Sequence, residues 1–217
     1  MRNFTITDEV RDYAVSRGDW QPDEVVRELQ RQTEALGDVA SMQIGADQGQ
    51  LLTMLARLVG ARQAVEVGTF TGYSSLCIAR GLADGGRLLC CDVSEEWTSI
   101  GVRAWERAGL RDRIELRIAP AVETLRSLPT DPYLDLVFID ADKPGYRSYW
   151  QELVPRMRPG GVLLADNVLW SGEVVDPDAH GENVDALREF NDLVAADDRV
   201  EVTMLTAFDG LTIARKL

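Results

Sequence analysis

From Ala64 to Asp166 the chain alternates short apolar runs rich in β-formers with amphipathic segments of helix length, and few folds can accommodate that alternation. The runs are AVEV (64–67), RLLCCDV (87–93), IELRIA (114–119), DLVFID (135–140) and GVLLAD (161–166). Between them GYSSLCIARGL, EEWTSIGVRAWERAGL, PAVETLRSL and GYRSYWQELVPRM carry helical period. Strands apolar along their whole length, each followed by a helix, describe βαβ units whose parallel sheet is covered on both faces. After one more helix, VDALREFNDLVAAD, come RVEVTMLTAF and GLTIARKL, joined at Asp209-Gly210. That pair tolerates positive φ and predicts a tight hairpin.

Residues 1–60 follow a different pattern. TDEVRDYAVSR opens with threonine and an acidic first turn, QPDEVVRELQRQTEAL places Pro22 at a first-turn position, and ADQGQLLTMLARLVG predicts a third helix. No repeat, low-complexity tract or linker interrupts the 217 residues, a length suited to one core. The expectation is a single domain over 1–217, with a helical preface (1–60) and an α/β core (61–217).

Charge narrows the partners. Thirty-six acidic against 23 basic side chains give a net charge of −13, which repels phosphate backbones and argues against nucleic acid. Cys77, Cys90 and Cys91 are odd in number and sit inside apolar patterns, so reduced thiols and a cytoplasmic protein are expected rather than a disulfide framework or zinc ribbon. The N-terminal stretch is studded with charges, and no run nears the roughly 18 apolar residues of a membrane span, so neither export signal nor anchor is expected.

Open α/β sheets bind ligands beyond the carboxyl ends of their strands, where strand order reverses. Those ends are polar here: Glu66 and Gly68 at the first run, Asp92 at the second, Asp140 at the fourth, Asp166 and Asn167 at the fifth. Any one could be a helix cap or a solvated acid; four together suggest a site. VEVGTFTGYSS has glycines at 68 and 72 but lacks the G-x-G-x-x-G spacing that seats a pyrophosphate. A nucleoside without phosphates is the better ligand, with Asp92 on the ribose hydroxyls and Glu66 attracting an ammonium. S-adenosylmethionine has that shape.

The motifs MQIGADQGQLL, VEVGTFTGYSS, DLVFIDADKPGY, LADNVLWSG and DGLTIARK follow one another in an order that resembles the class I S-adenosylmethionine-dependent methyltransferases. Within that class the chain is similar to the cation-dependent O-methyltransferases typified by caffeoyl-CoA and catechol O-methyltransferases, from about Met42 to Lys216. The resemblance implies a Rossmann-like, doubly wound, seven-stranded and mostly parallel sheet with an antiparallel C-terminal hairpin and extra N-terminal helices. By position it assigns the cofactor to Met42, Ile44, Glu66, Gly68, Ser74, Asp92, Ala121 and Asp140. Ala119 departs from the family's usual glycine beside the adenine contact. The implied divalent metal falls on Asp140, Asp166 and Asn167, hard oxygen donors suited to Mg²⁺. The single histidine, His180, leaves little material for a zinc site.

Methyl transfer to oxygen is an in-line displacement, and a neutral phenol with a pKa near 10, about that of tyrosine, is a poor nucleophile. Binding both oxygens of a vicinal diol to a metal favours the oxyanion and aligns one for attack. Lys143 matches the family's catalytic lysine, either removing the phenol proton or staying charged to steady the phenolate. Met42, Lys143, Asn167 and Trp170 are the expected acceptor contacts, Trp170 as a wall for a flat ring. Trp97 reads equally as an adenine neighbour or core, whereas Trp20, Trp105 and Trp150 read as structural.

The expected function is Mg²⁺-assisted transfer of a methyl group from S-adenosylmethionine to an aromatic vicinal diol. A thioester-linked acceptor competes with it, on coenzyme A or a carrier protein drawn by Arg17, Arg27 and Arg31. Two other classes share parts of the pattern. A nicotinamide-dependent dehydrogenase would carry the missing pyrophosphate turn, and a non-catalytic cofactor-binding protein would not need Asp140, Lys143, Asp166 and Asn167 together. The surplus N-terminal helices and the family's habit imply a homodimer.

Overall fold

The computed structural model describes residues 6–18 and 22–217. Trp20 lies outside them. In the preface, α1 (Asp8–Arg17) is capped by Thr7, and α2 (Glu24–Glu34) by Asp23, whose carboxylate accepts from the Val26 N–H at 3.0 Å. Pro22 therefore sits just outside α2 rather than in its first turn, because the Asp23 side chain satisfies the open N–H and fixes the start one residue later. The third predicted helix is α3 (Ala46–Leu58).

The α/β core then runs β1 (Gln63–Val67), α4 (Tyr73–Gly81), β2 (Arg87–Asp92), α5 (Glu95–Arg107), β3 (Ile114–Ile118) and α6 (Ala121–Arg126). It continues through β4 (Leu134–Ile139), α7 (Tyr146–Leu153), β5 (Met157–Ala165), α8 (Glu182–Ala195), β6 (Val200–Leu205) and β7 (Leu211–Lys216). The seven strands are ordered β3-β2-β1-β4-β5-β7-β6. The first five are parallel, and β7 runs antiparallel to both β5 and β6. Strand order reverses between β1 and β4, so the tips of these neighbours flank the crevice where a ligand fits.

Side-chain alternation along the strands builds two cores. Ala64 packs with Leu52, Leu76 and Trp105 on the side of α3, α4 and α5, whereas Val65 and Val67 pack with Trp150, Leu153 and Phe190 under α7 and α8. Trp105 and Trp150 are fully buried, and truncating either to alanine would cost about 3–5 kcal/mol. Both are structural, as expected. The three cysteines are free and buried.

The C-terminal hairpin differs from the sequence expectation. Residues 206–210 form a longer loop in which Phe208 (φ 59°) and Gly210 (φ 86°) take positive φ, while Asp209 does not. The loop's backbone is engaged by the segment after β5 rather than closed on itself at Asp209-Gly210: Val168 N–H donates to Gly210 O at 3.1 Å and Leu169 N–H to Asp209 O at 3.0 Å. Among the described residues no helix is long and apolar enough to cross a membrane.

Candidate active site

Backbone bonding continues past the strand ends and aligns their tips. Gly68 N–H donates to Cys91 O, Asp140 N–H to Val67 O and Asp166 N–H to Ile139 O, at 2.8–3.0 Å. Between these tips and the preface opens a cavity of about 1160 Å³. Gly68 is held at φ 92°, and a Cβ there would lie 1.9 Å from the Asp140 carbonyl oxygen, so the turn needs a residue with no side chain. The Asp92 carboxylate accepts from Thr69 N–H (2.9 Å), Phe70 N–H (2.8 Å) and Ser94 N–H (2.8 Å). It thus fixes the turn while still lining the cavity. Phe70 meets Trp97 edge to face at 5.3 Å, and both line the cavity.

The other half of the cavity is built from the tips of β4 and β5. Lys143, only 6% exposed, directs its ammonium at Asn167 Oδ1 (2.8 Å), Tyr146 Oη (2.8 Å) and Asp140 Oδ1 (3.3 Å). Asp166 accepts from the buried Gln48 amide at 2.6 Å and from the Asn167 N–H at 2.8 Å. Tyr146 donates to the Asp166 carbonyl at 2.9 Å. Burial raises the Asp140 carboxyl above its ordinary value despite Lys143. Burial, then the Asp140 charge, raises Asp166 to about 6. Two desolvated carboxylates thus face one ammonium, an excess of negative charge that a cation would relieve. Among the described residues no three His, Cys, Asp or Glu cluster as a metal site, so the oxygen trio depends on the Asn167 amide. Asn167 is held at φ 57°, a left-handed conformation that asparagine tolerates better than most residues.

Of the sequence-predicted site residues, Met42, Ile44, Gly68, Ser74, Asp92, Ala121, Asp140, Lys143, Asp166, Asn167 and Trp170 all line this one cavity. Ala119 lines it as well. Glu66 stands apart: its side chain is wholly buried behind the wall and takes a hydrogen bond from Ser75 Oγ, with Oε1 left unpaired. Burial, opposed by its hydroxyl neighbours, raises it to about 7. Arg17, Arg27 and Arg31 do not line the cavity. Arg17 lies over the Tyr13 ring, Arg27 donates to Pro22 O, and Arg31 is paired with Glu24 and Glu28.

Three contributors escaped the sequence reading. Gln48, at 3% exposure, braces Asp166 from α3; Tyr146 bridges Lys143 and β5; Thr33 of α2 donates to Thr71 Oγ1 in the glycine turn at 2.8 Å. Only Gln48 left a signal, as an amide on the buried face of a helix that otherwise packs apolar side chains.

Strand order, a glycine turn without the pyrophosphate spacing and an oxygen-rich pair of tips define the class: a doubly wound α/β fold with its cavity at the switch point. Residues 17–217 match the O-methyltransferase family, and the chain belongs to that family. It is 37% identical over 212 residues to the "Probable caffeoyl-CoA O-methyltransferase 1" of Dictyostelium discoideum, covering 96% of this chain and 92% of that one. A Bacillus cereus O-methyltransferase, solved in complex with SAH, superposes with TM-score 0.86 at 33% identity, covering 95% of this chain and 97% of the other. The O-methyltransferase TomG of Streptomyces achromogenes, solved with SAM, gives TM-score 0.88 at 32% identity and 96% coverage of both chains.

Proposed function

We propose that this protein uses S-adenosylmethionine to methylate one hydroxyl of an aromatic vicinal diol, with a divalent cation held by Asp140, Asp166 and Asn167. The observation that carries the reading is the buried ammonium of Lys143, gathered with Asp140 and Asn167 beside Asp166 at the tips of β4 and β5. The cofactor-bound state of the Bacillus and Streptomyces relatives supports the choice of methyl donor. On this reading Gly68 lets the methionine part approach the backbone, Ser74 and Asp140 face its amino-acid end, and Asp92 takes the ribose. Met42 and Ile44 flank the reaction side, Ala121 meets the adenine, and Glu66 holds the turn from behind.

When bound, the cation would acidify the diol by Lewis acidity. The chain's own part is placement. Lys143, 5.9 Å from the Trp170 ring centre, lies between the acidic tips and the aromatic wall, where as the free amine it would take the phenol proton and as the ammonium it would neutralise the phenolate. Trp170 supplies a flat face for the acceptor ring.

A free phenol suits the cavity better than a thioester of coenzyme A. Its described lining carries Asp47, Asp92, Asp140, Asp142, Asp166 and Asp209 against two cations, Arg11 and Lys143, a poor match for a polyphosphate tail. The thioester-linked acceptor remains the second reading, favoured by the name of the Dictyostelium relative. We further propose a cytoplasmic homodimer that binds neither nucleic acid nor membrane. Apolar Met54 and Leu58, exposed on α3, suit burial against a second copy, and light scattering at 24.1 kDa would contradict the dimer.

The test is S-adenosylhomocysteine formation from vicinal-diol phenols and from a caffeoyl thioester, with Mg²⁺ or with EDTA. Turnover of the free diol that disappears with EDTA supports the proposal. Turnover indifferent to EDTA contradicts the metal, and turnover of the thioester alone contradicts the free acceptor.

A further inference from the structure

The described residues include five non-glycine positions with positive φ: Phe70, Asn167, Trp170, Ser171 and Phe208. Four of the five belong to two loops, one after β5 (Asn167, Trp170, Ser171) and one between β6 and β7 (Phe208). Such conformations cost of order 1 kcal/mol each for residues with a Cβ and persist only when their surroundings hold them. Trp170 (φ 47°) and Ser171 (φ 52°) are consecutive, and Gly172 (φ 87°) extends the run. A bulky aromatic residue in this region is a rare outlier.

Two bonds within the loop, Trp170 N–H to Asn167 O (3.3 Å) and Gly172 N–H to Leu169 O (2.9 Å), and several from the other loop hold the run. Val168 N–H donates to Gly210 O, Leu169 N–H to Asp209 O, and Ser171 N–H to the Asp209 carboxylate at 2.6 Å. Gly210 fits because it has no side chain: a Cβ would approach the Leu169 backbone nitrogen to 2.7 Å. Among the described residues Asp209 supplies the only side-chain hydrogen bond to the backbone of the strained pair, and a charge-assisted hydrogen bond is among the stronger ones a protein makes.

We infer that Asp209 is a positioning residue for the acceptor: its carboxylate holds the Trp170–Ser171 turn in the left-handed conformation that sets the Trp170 ring over the acceptor side of the cavity. This rests on the reading of Trp170 as the acceptor wall. Asp209 itself need not touch the reacting atoms. Losing it frees the Ser171 N–H, lets Trp170 relax to an ordinary conformation, and loosens acceptor binding while leaving the glycine turn of the cofactor half untouched.

The test uses the full chain with Mg²⁺, S-adenosylmethionine and 1,2-dihydroxybenzene, comparing Asp209→Ala, Asp209→Asn, Trp170→Ala and the double variant Asp209→Ala/Trp170→Ala. Asp209→Ala should raise the acceptor KM about ten-fold, with kcat changed less and cofactor affinity unchanged. Asp209→Asn keeps an oxygen for the Ser171 N–H and should recover most of the loss. The double variant should be no worse than Trp170→Ala, because both changes act through one ring. An unchanged KM in Asp209→Ala, or independent multiplication of the two losses, overturns the inference. A Trp170→Ala enzyme with wild-type KM instead sinks the prior reading of Trp170, so the two failures are distinguishable. Hydrogen exchange on the wild-type protein supplies an arm independent of variant folding: the Ser171 amide, though its residue is exposed, should be protected, and exchange at the rate of a free amide overturns the clamp.

Discussion

The two halves of the cavity reach close tolerances with different shares of glycine and of strained residues that carry side chains. On the side proposed for the cofactor, the turn after β1 takes positive φ at Gly68 and Gly72, whose missing side chains make the conformation inexpensive, and at Phe70 (φ 49°) between them, whose N–H donates to Asp92 together with that of Thr69. On the side proposed for the acceptor, Asn167, Trp170 and Ser171 adopt left-handed conformations in spite of their side chains and are held there by neighbours. The first arrangement is a cradle whose bends fall mostly on glycine, with Phe70 as its one strained residue. The second stores strain to present particular side chains, an amide oxygen and an aromatic face, which glycine could not provide.

If the cradle depends on absent side chains, Gly68→Ala should be the most damaging change. The new Cβ would collide with the Asp140 backbone, costing about 3 kcal/mol or more and abolishing measurable S-adenosylhomocysteine binding by calorimetry. Wild-type affinity would break the comparison at its root. Next in size, Asp92→Ala should weaken S-adenosylhomocysteine binding about 10- to 100-fold, since the turn amides and the ribose lose one charged partner together. An effect on acceptor KM with cofactor affinity intact would put Asp92 in the wrong half.

The same contrast governs what could be read from the sequence. The cradle was legible because glycine spacing and a strand-end acid are local signals, as was the sheet itself from its run of apolar strands. The residues that brace the acceptor half were not. Gln48 meets Asp166 across 118 positions, and Asp209 meets Ser171 across 38. Asp209-Gly210 even suggested a short hairpin, whereas it forms a longer loop that docks on Leu169. A turn propensity records what a dipeptide tolerates; a docking partner far along the chain decides what it does.

Smaller effects sharpen the division. Gln48→Leu removes the amide that orients Asp166 and should lower Mg²⁺ affinity, read by calorimetry, about ten-fold with S-adenosylhomocysteine binding preserved. Equal metal affinity would show that Asp166 is held sufficiently by the Asn167 N–H.

Glu66 tests the cradle from behind. Its carboxyl, raised to about 7 from an ordinary value of 4.5, binds a proton in the folded chain that the unfolded chain has released between those limits. Its contribution to stability therefore falls as pH rises through that window. Glu66→Gln, always neutral, should be more stable relative to wild type at pH 8 than at pH 5, by roughly 2–3 kcal/mol. A pH-independent gap would mean that Glu66 is ionised in the fold throughout.

The most direct test of a cavity divided between cofactor cradle and metal-assisted acceptor site is Asp166→Ala, assayed in parallel for S-adenosylmethionine affinity and for methylation of a vicinal diol in Mg²⁺. The division predicts turnover reduced at least about 100-fold with cofactor affinity within about two-fold of wild type. Retained turnover, or cofactor binding lost in the same proportion, would contradict it.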